Sequence, residues 1–175
     1  MAVQTEISLR IDLQMKKQIA ENFGGALRLR ACGILVNENG VLMVKHQGLT
    51  VAGYLWAPPG GGMSFGQSAG ECLEREFFEE TGLIITVGEF LFVNEFHASP
   101  LHALELFFKV QQTGGQLKTG YDPELGPAHQ IIDDVKYFQQ NDIEEEQGPQ
   151  LHSIFQQISH PKQLLNLKGY FQNWK

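Results

Sequence analysis

Glu76, Glu79 and Glu80 are the residues whose type and spacing promise chemistry, in the stretch PPGGGMSFGQSAGECLEREFFEETG from Pro58 to Gly82. On a helix turning about 100° per residue, Glu79 and Glu80 fall about 60° to one side of Glu76 and about 40° to the other. Three carboxylates then share one narrow face, where like charges repel by roughly 0.2–0.5 kcal/mol per pair. Glu79 and Glu80 also stand in the last turn, where the helix dipole favours cations. Two local rules are broken in the same direction, which is the pattern of a functional site. A hard divalent cation is the simplest compensation, since Mg²⁺ takes oxygen ligands and binds through a few carboxylates together with substrate phosphates. Any one of these glutamates reads best as a solvated surface acid; three on one arc behind a run of glycines do not.

The elements around them are legible. Ser68-Ala69-Gly70-Glu71 has the form of a capping box, and Gly82 suits the position after a helix end, so the spacing predicts a helix from about Ala69 to Thr81. Ahead of it, Gly60-Gly61-Gly62 lets the backbone approach a ligand or metal closely. A glycine-rich turn is weak evidence alone, but only a short loop joins it to the acidic helix, so the two are expected to converge.

Further out, LRLRACGILVNENGVLMVKH places two β-rich runs about Asn39-Gly40 and predicts a hairpin. Leu55–Ala57 is a short strand stopped by Pro58-Pro59. ITVGEFLFVNEFHA and HALELFFKVQQ are two long strands paired across Ser99-Pro100-Leu101, and VKYFQ is another. Residues 114–129, rich in glycine and proline, form a loop. Gly148–Ile158 and Leu164–Trp174 read as helices. Residues 1–26 form a strand-and-helix extension, with Ile7, Leu9, Ile11 and Leu13 alternating with polar residues, and 27–175 form a single domain. Strands and helices do not alternate regularly, which argues for an α/β fold with a mixed sheet rather than a doubly wound one.

Composition bounds the rest. The chain has 175 residues, 42% of them hydrophobic and 19% charged, a globular balance. A net charge of −7 argues against a nucleic-acid backbone or an anionic membrane as the main partner. It leaves phosphate ligands open, because a metal ion supplies positive charge. Cys32 and Cys72 have no zinc-ligand spacing and read as buried thiols. No secretory signal or membrane span is evident, so the expected compartment is the cytoplasm.

Gly61, five residues, position 67, seven residues, then Arg75-Glu76-Phe77-Phe78-Glu79-Glu80-Thr81-Gly82-Leu83 resembles the box of the Nudix hydrolase (MutT-like) family, G-x5-E-x7-R-E-U-x-E-E-x-G-U with U a bulky apolar residue. Every fixed position matches except Gln67, where the family has glutamate. The resemblance implies the Nudix fold, an α/β/α sandwich around a mixed β-sheet. It implies hydrolysis of the diphosphate bond of a nucleoside diphosphate linked to another group, with Mg²⁺ or Mn²⁺ as cofactor. Carried over by position, Glu76, Glu79 and Glu80 are metal ligands, joined by the Gly60 carbonyl. Glu76 also acts on the attacking water. Arg75 orients the carboxylates or pairs with Glu71. Gly61 and Gly62 bring backbone to the substrate. Gln67 leaves the metal site one charge poorer, which opens the alternative of a nucleotide-binding or sensor module with weakened catalysis. Homodimers occur among relatives, and the N-terminal strand is the candidate interface.

Outside the box, Arg28 and Arg30 share one face of a strand and either hold a substrate phosphate or ribose or pair with surface acids. The family often recruits a further glutamate as base or ligand; Glu95, Glu105, Glu124 and Glu144-Glu145-Glu146 are the candidates. Pro100 lies just past the spacing that marks ADP-ribose hydrolases, so the substrate group stays open.

Overall fold

A computed structural model of the chain describes residues 17, 20–48, 53–123, 130–146 and 148–174. The alternating run from Ile7 to Leu13 and the candidate Glu124 lie outside the described residues. Of the helix expected to follow that run, residues 20–23 are helical.

Two sheets organise the described residues. The first is five-stranded and mixed, in the order β5 (Gly60–Gly62), β1 (Leu27–Ile34), β7 (Leu101–Gly115), β6 (Leu83–Ala98), β9 (Gly169–Trp174). Its β1–β7 and β6–β9 pairs are parallel, and the others antiparallel. In the second sheet β2 (Val36–Asn37), β4 (Tyr54–Ala57) and β8 (Ile132–Phe138) all pair with β3 (Gly40–Gln47). A helix, α1 (Ala69–Thr81), packs on one side of the sheets, and three short 3₁₀ turns within 148–166 pack on the other. This layering, around a mixed sheet, agrees with the α/β/α sandwich expected from the sequence.

The burial pattern shows why residues 41–44 of β3 are apolar without interruption. Leu42 and Val44 join Cys72, Leu73 and Phe77 of α1 in one core cluster. Val41 and Met43 face the other way, joining Trp56, Phe92, Phe107, Phe138 and the 3₁₀-turn residues Ile154, Phe155 and Leu164. A strand buried on both faces loses the polar–apolar alternation of a half-exposed one.

Two expectations need correcting. The hairpin about Asn39-Gly40 is short. Only Val36 and Asn37 pair back onto β3, because the chain changes sheets at Leu35 and β1 pairs with β7 and β5 instead. A local turn signal cannot report a distant strand that competes for the same edge. The C-terminal segment, expected as two helices, is 3₁₀ turns at Gly148–Gln150, Ser153–Gln157 and Pro161–Asn166, then β9. Its apolar residues are spaced to fit the sandwich floor, and Gly169–Trp174 gains a sheet edge beside β6. The sequence also hides a helix, α2 (Gln140–Glu145). Among the described residues no helix is long and apolar enough to cross a membrane.

Candidate active site

Helix α1 begins as its sequence dictates. The Ser68 hydroxyl accepts from Glu71 N–H at 3.2 Å, and the Glu71 carboxylate accepts from Ser68 N–H at 2.9 Å. Gly82 closes the helix in the left-handed region at φ 70°. The last turn carries no basic side chain. Its carbonyls are capped instead by the loop after β7, with Lys118 N–H on Thr81 O, Gly120 N–H on Glu80 O and Tyr121 N–H on Glu79 O. That loop therefore fixes the end of the helix that presents the glutamates.

β5 brings the glycines to the same place. It pairs with β1 so that Gly60, Gly61 and Gly62 face Cys32, Ala31 and Arg30. Gly60 sits at φ 151°, and a Cβ there would strike the β1 backbone. A Cβ on Gly61 would land on the Glu76 carboxyl. The glycine run is thus a slot: one residue lets two strands close, and the next leaves room for a carboxylate.

Glu76 and Glu80 face this slot, both buried at 7% and 5% exposure. Glu80 is held at both oxygens: Oε2 accepts from Gly60 N–H at 2.9 Å, and Oε1 lies 3.3 Å from His46 Nε2. Arg75 reaches Glu76 Oε1 at 2.8 Å and Glu79 Oε2 at 2.7 Å. Arg75 thus pairs with the box carboxylates, and Glu71 is engaged with Ser68 instead. Burial first, and then the neighbouring Glu80 charge, push the Glu76 carboxyl up to about 7, against the pull of Arg75 and Arg30. Gln67 folds back on its own loop, its amide oxygen accepting from Ser64 N–H at 3.2 Å.

The slot opens into a cavity of about 620 Å³. Arg28, Arg30, His46, Glu76, Glu80 and Asp122 supply polar groups to it, and Phe23, Phe96 and Leu101 are among its apolar walls. The Arg28 guanidinium stacks 4.1 Å from the Phe23 ring centre. His46, Asp122 and His152 line the cavity although nothing in their sequence neighbourhood singled them out. Their place depends on strand pairing and loop packing, and a lone histidine or aspartate carries no periodic signal.

The glutamates outside the box have other partners. Glu105 is buried, accepting from Asn94 at 2.8 Å and lying 3.0 Å from His152 Nε2 and 3.7 Å from Arg30 Nε. Burial alone would raise its carboxyl, but the contact with His152, with Arg30 and Asn94, holds it down at about 2. A carboxylate so weakly basic is a poor general base at neutral pH. Glu95 is engaged by His102 at 2.8 Å and by the Tyr170 hydroxyl. Glu146 accepts from Tyr54 and Trp56, and Glu144 from Gln140.

A divalent cation can be tested against this arrangement. Among the described residues no three acidic, histidine or cysteine side chains are arranged to enclose a metal ion by themselves. Glu76 and Glu80 nevertheless fit one. They are two hard oxygen donors, buried together, and burial and the Glu80 charge disfavour the ionised form of Glu76. Mg²⁺ needs only one or two carboxylates when substrate phosphates complete its shell. Glu79 stands at the edge, tied to Arg75.

Comparison with known proteins bears on the same residues. The family model described as NUDIX domain matches residues 26–157, which contain α1, the glycine slot and most of the cavity wall. An ADP-ribose pyrophosphatase of Methanocaldococcus jannaschii is 35% identical over 95 residues, 51% of this chain and 54% of that protein. The chain thus spans about half the length of this curated relative. Among solved structures, an ADP-ribose pyrophosphatase from Streptococcus suis superposes with a TM-score of 0.55 at 17% identity, covering 82% of this chain and 98% of that one. A NUDIX hydrolase from Nitrosomonas europaea gives 0.62 at 16% identity, covering 75% and 85%. At such identities these structures speak for the fold, and the family match adds the box itself. Taken with the carboxylates that α1 delivers to the glycine slot, the match over most of its length shows that the chain belongs to the NUDIX domain family.

Proposed function

We propose that the protein is a metal-dependent pyrophosphohydrolase that cleaves the diphosphate bond of a nucleoside diphosphate linked to another group, with ADP-ribose the first substrate to try. The observation that carries this is the pair Glu76 and Glu80, buried against the Gly60–Gly61 backbone beside a cavity that also holds Arg28 and Arg30. The name of the M. jannaschii relative supports the choice of substrate.

Glu76 and Glu80 hold the cation, Mg²⁺ or Mn²⁺, with Glu79 beside them. When bound, such a cation neutralises charge developing on the phosphate oxygens and lowers the pKa of a bound water. The residues of the chain do the remaining work. Glu76, buried at the glycine slot, is the group to accept a proton from the attacking water. Gly60 and His46 keep Glu80 in place, and Arg75 keeps Glu76 and Glu79 in place. Arg28 contributes positive charge along the cavity wall for the diphosphate. The apolar wall near Phe23 and Phe96 is suited to a flat base or sugar face.

The test is phosphate release from a panel of nucleoside diphosphate derivatives with Mg²⁺ or Mn²⁺. Wild type should turn over at least one member, and Glu79→Gln or Glu80→Gln should cut that rate by on the order of 10²-fold or more. If wild type and Glu79→Gln give the same background on every substrate, the protein is a binding module instead.

A further inference from the structure

Three strands place a row of polar side chains on one face of the first sheet. The register pairs Arg30 of β1 with Gly62 of β5 and with Glu105 of β7, and pairs Glu105 with Asn94 of β6. Hydrogen bonds run along and beyond this row. Asn94 donates to Glu105 at 2.8 Å, and Arg30 Nε lies 3.7 Å from the other Glu105 oxygen. Arg30 Nη2 donates to the Gly60 carbonyl at 2.9 Å, and Gly60 N–H donates to Glu80 at 2.9 Å. His152, from the segment after α2, completes the set on Glu105. Its Nδ1 accepts from Ile154 N–H at 3.3 Å. That contact places the proton on Nε2, which donates to the carboxylate.

We propose that Arg30 is a positioning residue for the hydrolytic site rather than a substrate contact: with Glu105 holding its guanidinium, it fixes the Gly60 carbonyl and so the glycine whose N–H holds Glu80. Gly60 is clamped on both sides, its carbonyl by Arg30 and its N–H by Glu80. The clamp needs the guanidinium fork, because one nitrogen faces Glu105 while another reaches Gly60. A lysine ammonium is a single point charge on a flexible stem and cannot serve two partners in these two directions. The Arg30 contact also occupies one side of the Gly60 oxygen that the family resemblance implies as a metal ligand. Glu105 is held in turn by His152 and Asn94, so the clamp is anchored in the buried polar row of the sheet.

This rests on Glu80 belonging to the hydrolytic site. The experiment measures kcat and KM for Arg30→Lys and Glu105→Gln on whichever diphosphate substrate wild type hydrolyses. The expected result for Arg30→Lys is a fall in kcat of about 10–100-fold, the usual cost of losing such outer support, with KM within about two-fold. Glu105→Gln, which keeps an acceptor, should fall less and in the same direction. The two changes together should cost little more than Arg30→Lys alone, because they break one clamp. A rise in KM with kcat intact would overturn the proposal and make Arg30 a substrate ligand. If Arg30→Lys fails to fold, Glu105→Gln carries the same test. An independent readout is the Gly60 amide resonance by NMR, which should move in both variants; an unmoved Gly60 amide overturns the proposal even if no substrate is found. A wild type inactive on every substrate, with a Gly60 amide that does move, removes the hydrolase and leaves the clamp.

Discussion

The Glu76 carboxyl occupies the space that a side chain on residue 61 would fill. The relation links strand β5 to helix α1 at the point where the chemistry is proposed, and it gives Gly61 a role that no turn geometry requires. Since the colliding atoms are the end of a flexible side chain, an alanine is accommodated by moving Glu76 rather than by breaking the sheet.

Gly61→Ala should therefore fold with nearly the wild-type melting temperature and lose on the order of 100-fold in kcat, the scale of a misplaced reacting group. Circular dichroism melts and steady-state kinetics check both halves. A variant that unfolds would show that the slot is structural first; one with full activity would show that Glu76 can work from elsewhere.

Glu76 also sets a pH dependence. In the fold its carboxyl is raised from 4.5 to about 7. A raised group contributes stability that is fully present below about 4.5 and is lost as pH rises through about 7. The full loss is at most about 3 kcal/mol. With chelator present, wild type should melt lower at pH 8 than at pH 5, and Glu76→Gln should show less of this fall. Added Mg²⁺ or Mn²⁺ at pH 8 should raise the wild-type melting temperature and move the variant less, because a ligand bound only by the native state stabilises it by mass action. Equal pH profiles for the two proteins would refute the burial argument.

Gln67 closes the turn onto Ser64, its amide oxygen accepting from Ser64 N–H and its own N–H donating to Ser64 O. A glutamate can accept from the same N–H. Gln67→Glu should thus keep the fold, bind divalent cation more tightly by calorimetric titration, and turn over as fast or faster. A drop in both binding and turnover would assign Gln67 a role of its own.

The capping box isolates helix stability from chemistry. Ser68→Ala removes the cap hydroxyl and should cost roughly 1 kcal/mol, lowering the melting temperature by about 2–4 °C at this chain length. Turnover should hold near wild type, since Ser68 touches neither Glu76 nor Glu80. A large loss of turnover would mean that the helix start is coupled to the site.

Several of these relations were legible in the residues themselves. The 3.6-residue period carries Glu76, Glu79 and Glu80 onto one face, Ser68 and Glu71 announce the start of α1, and Gly82 announces its end. These are short-range patterns, and local backbone geometry is enough to read them. The Asn39-Gly40 hairpin misled because its first strand was claimed by a distant partner, β7. The C-terminal segment misled because its apolar spacing served a 3₁₀ floor and a sheet edge rather than a helix.

By itself, then, the sequence determined that a helix would crowd carboxylates beside a run of glycines, and so which cation chemistry to look for. Tertiary structure decided which of them meet. Parallel pairing of β1 with β7, some seventy-five residues apart in the Arg30↔Glu105 register, sets Arg30 behind Gly60 and beside Glu105. Packing of β3 brings His46 to Glu80, and the β5 slot receives Glu76. Such contacts depend on register between distant strands, and register is chosen by the energy of the whole core rather than by any local run of residues.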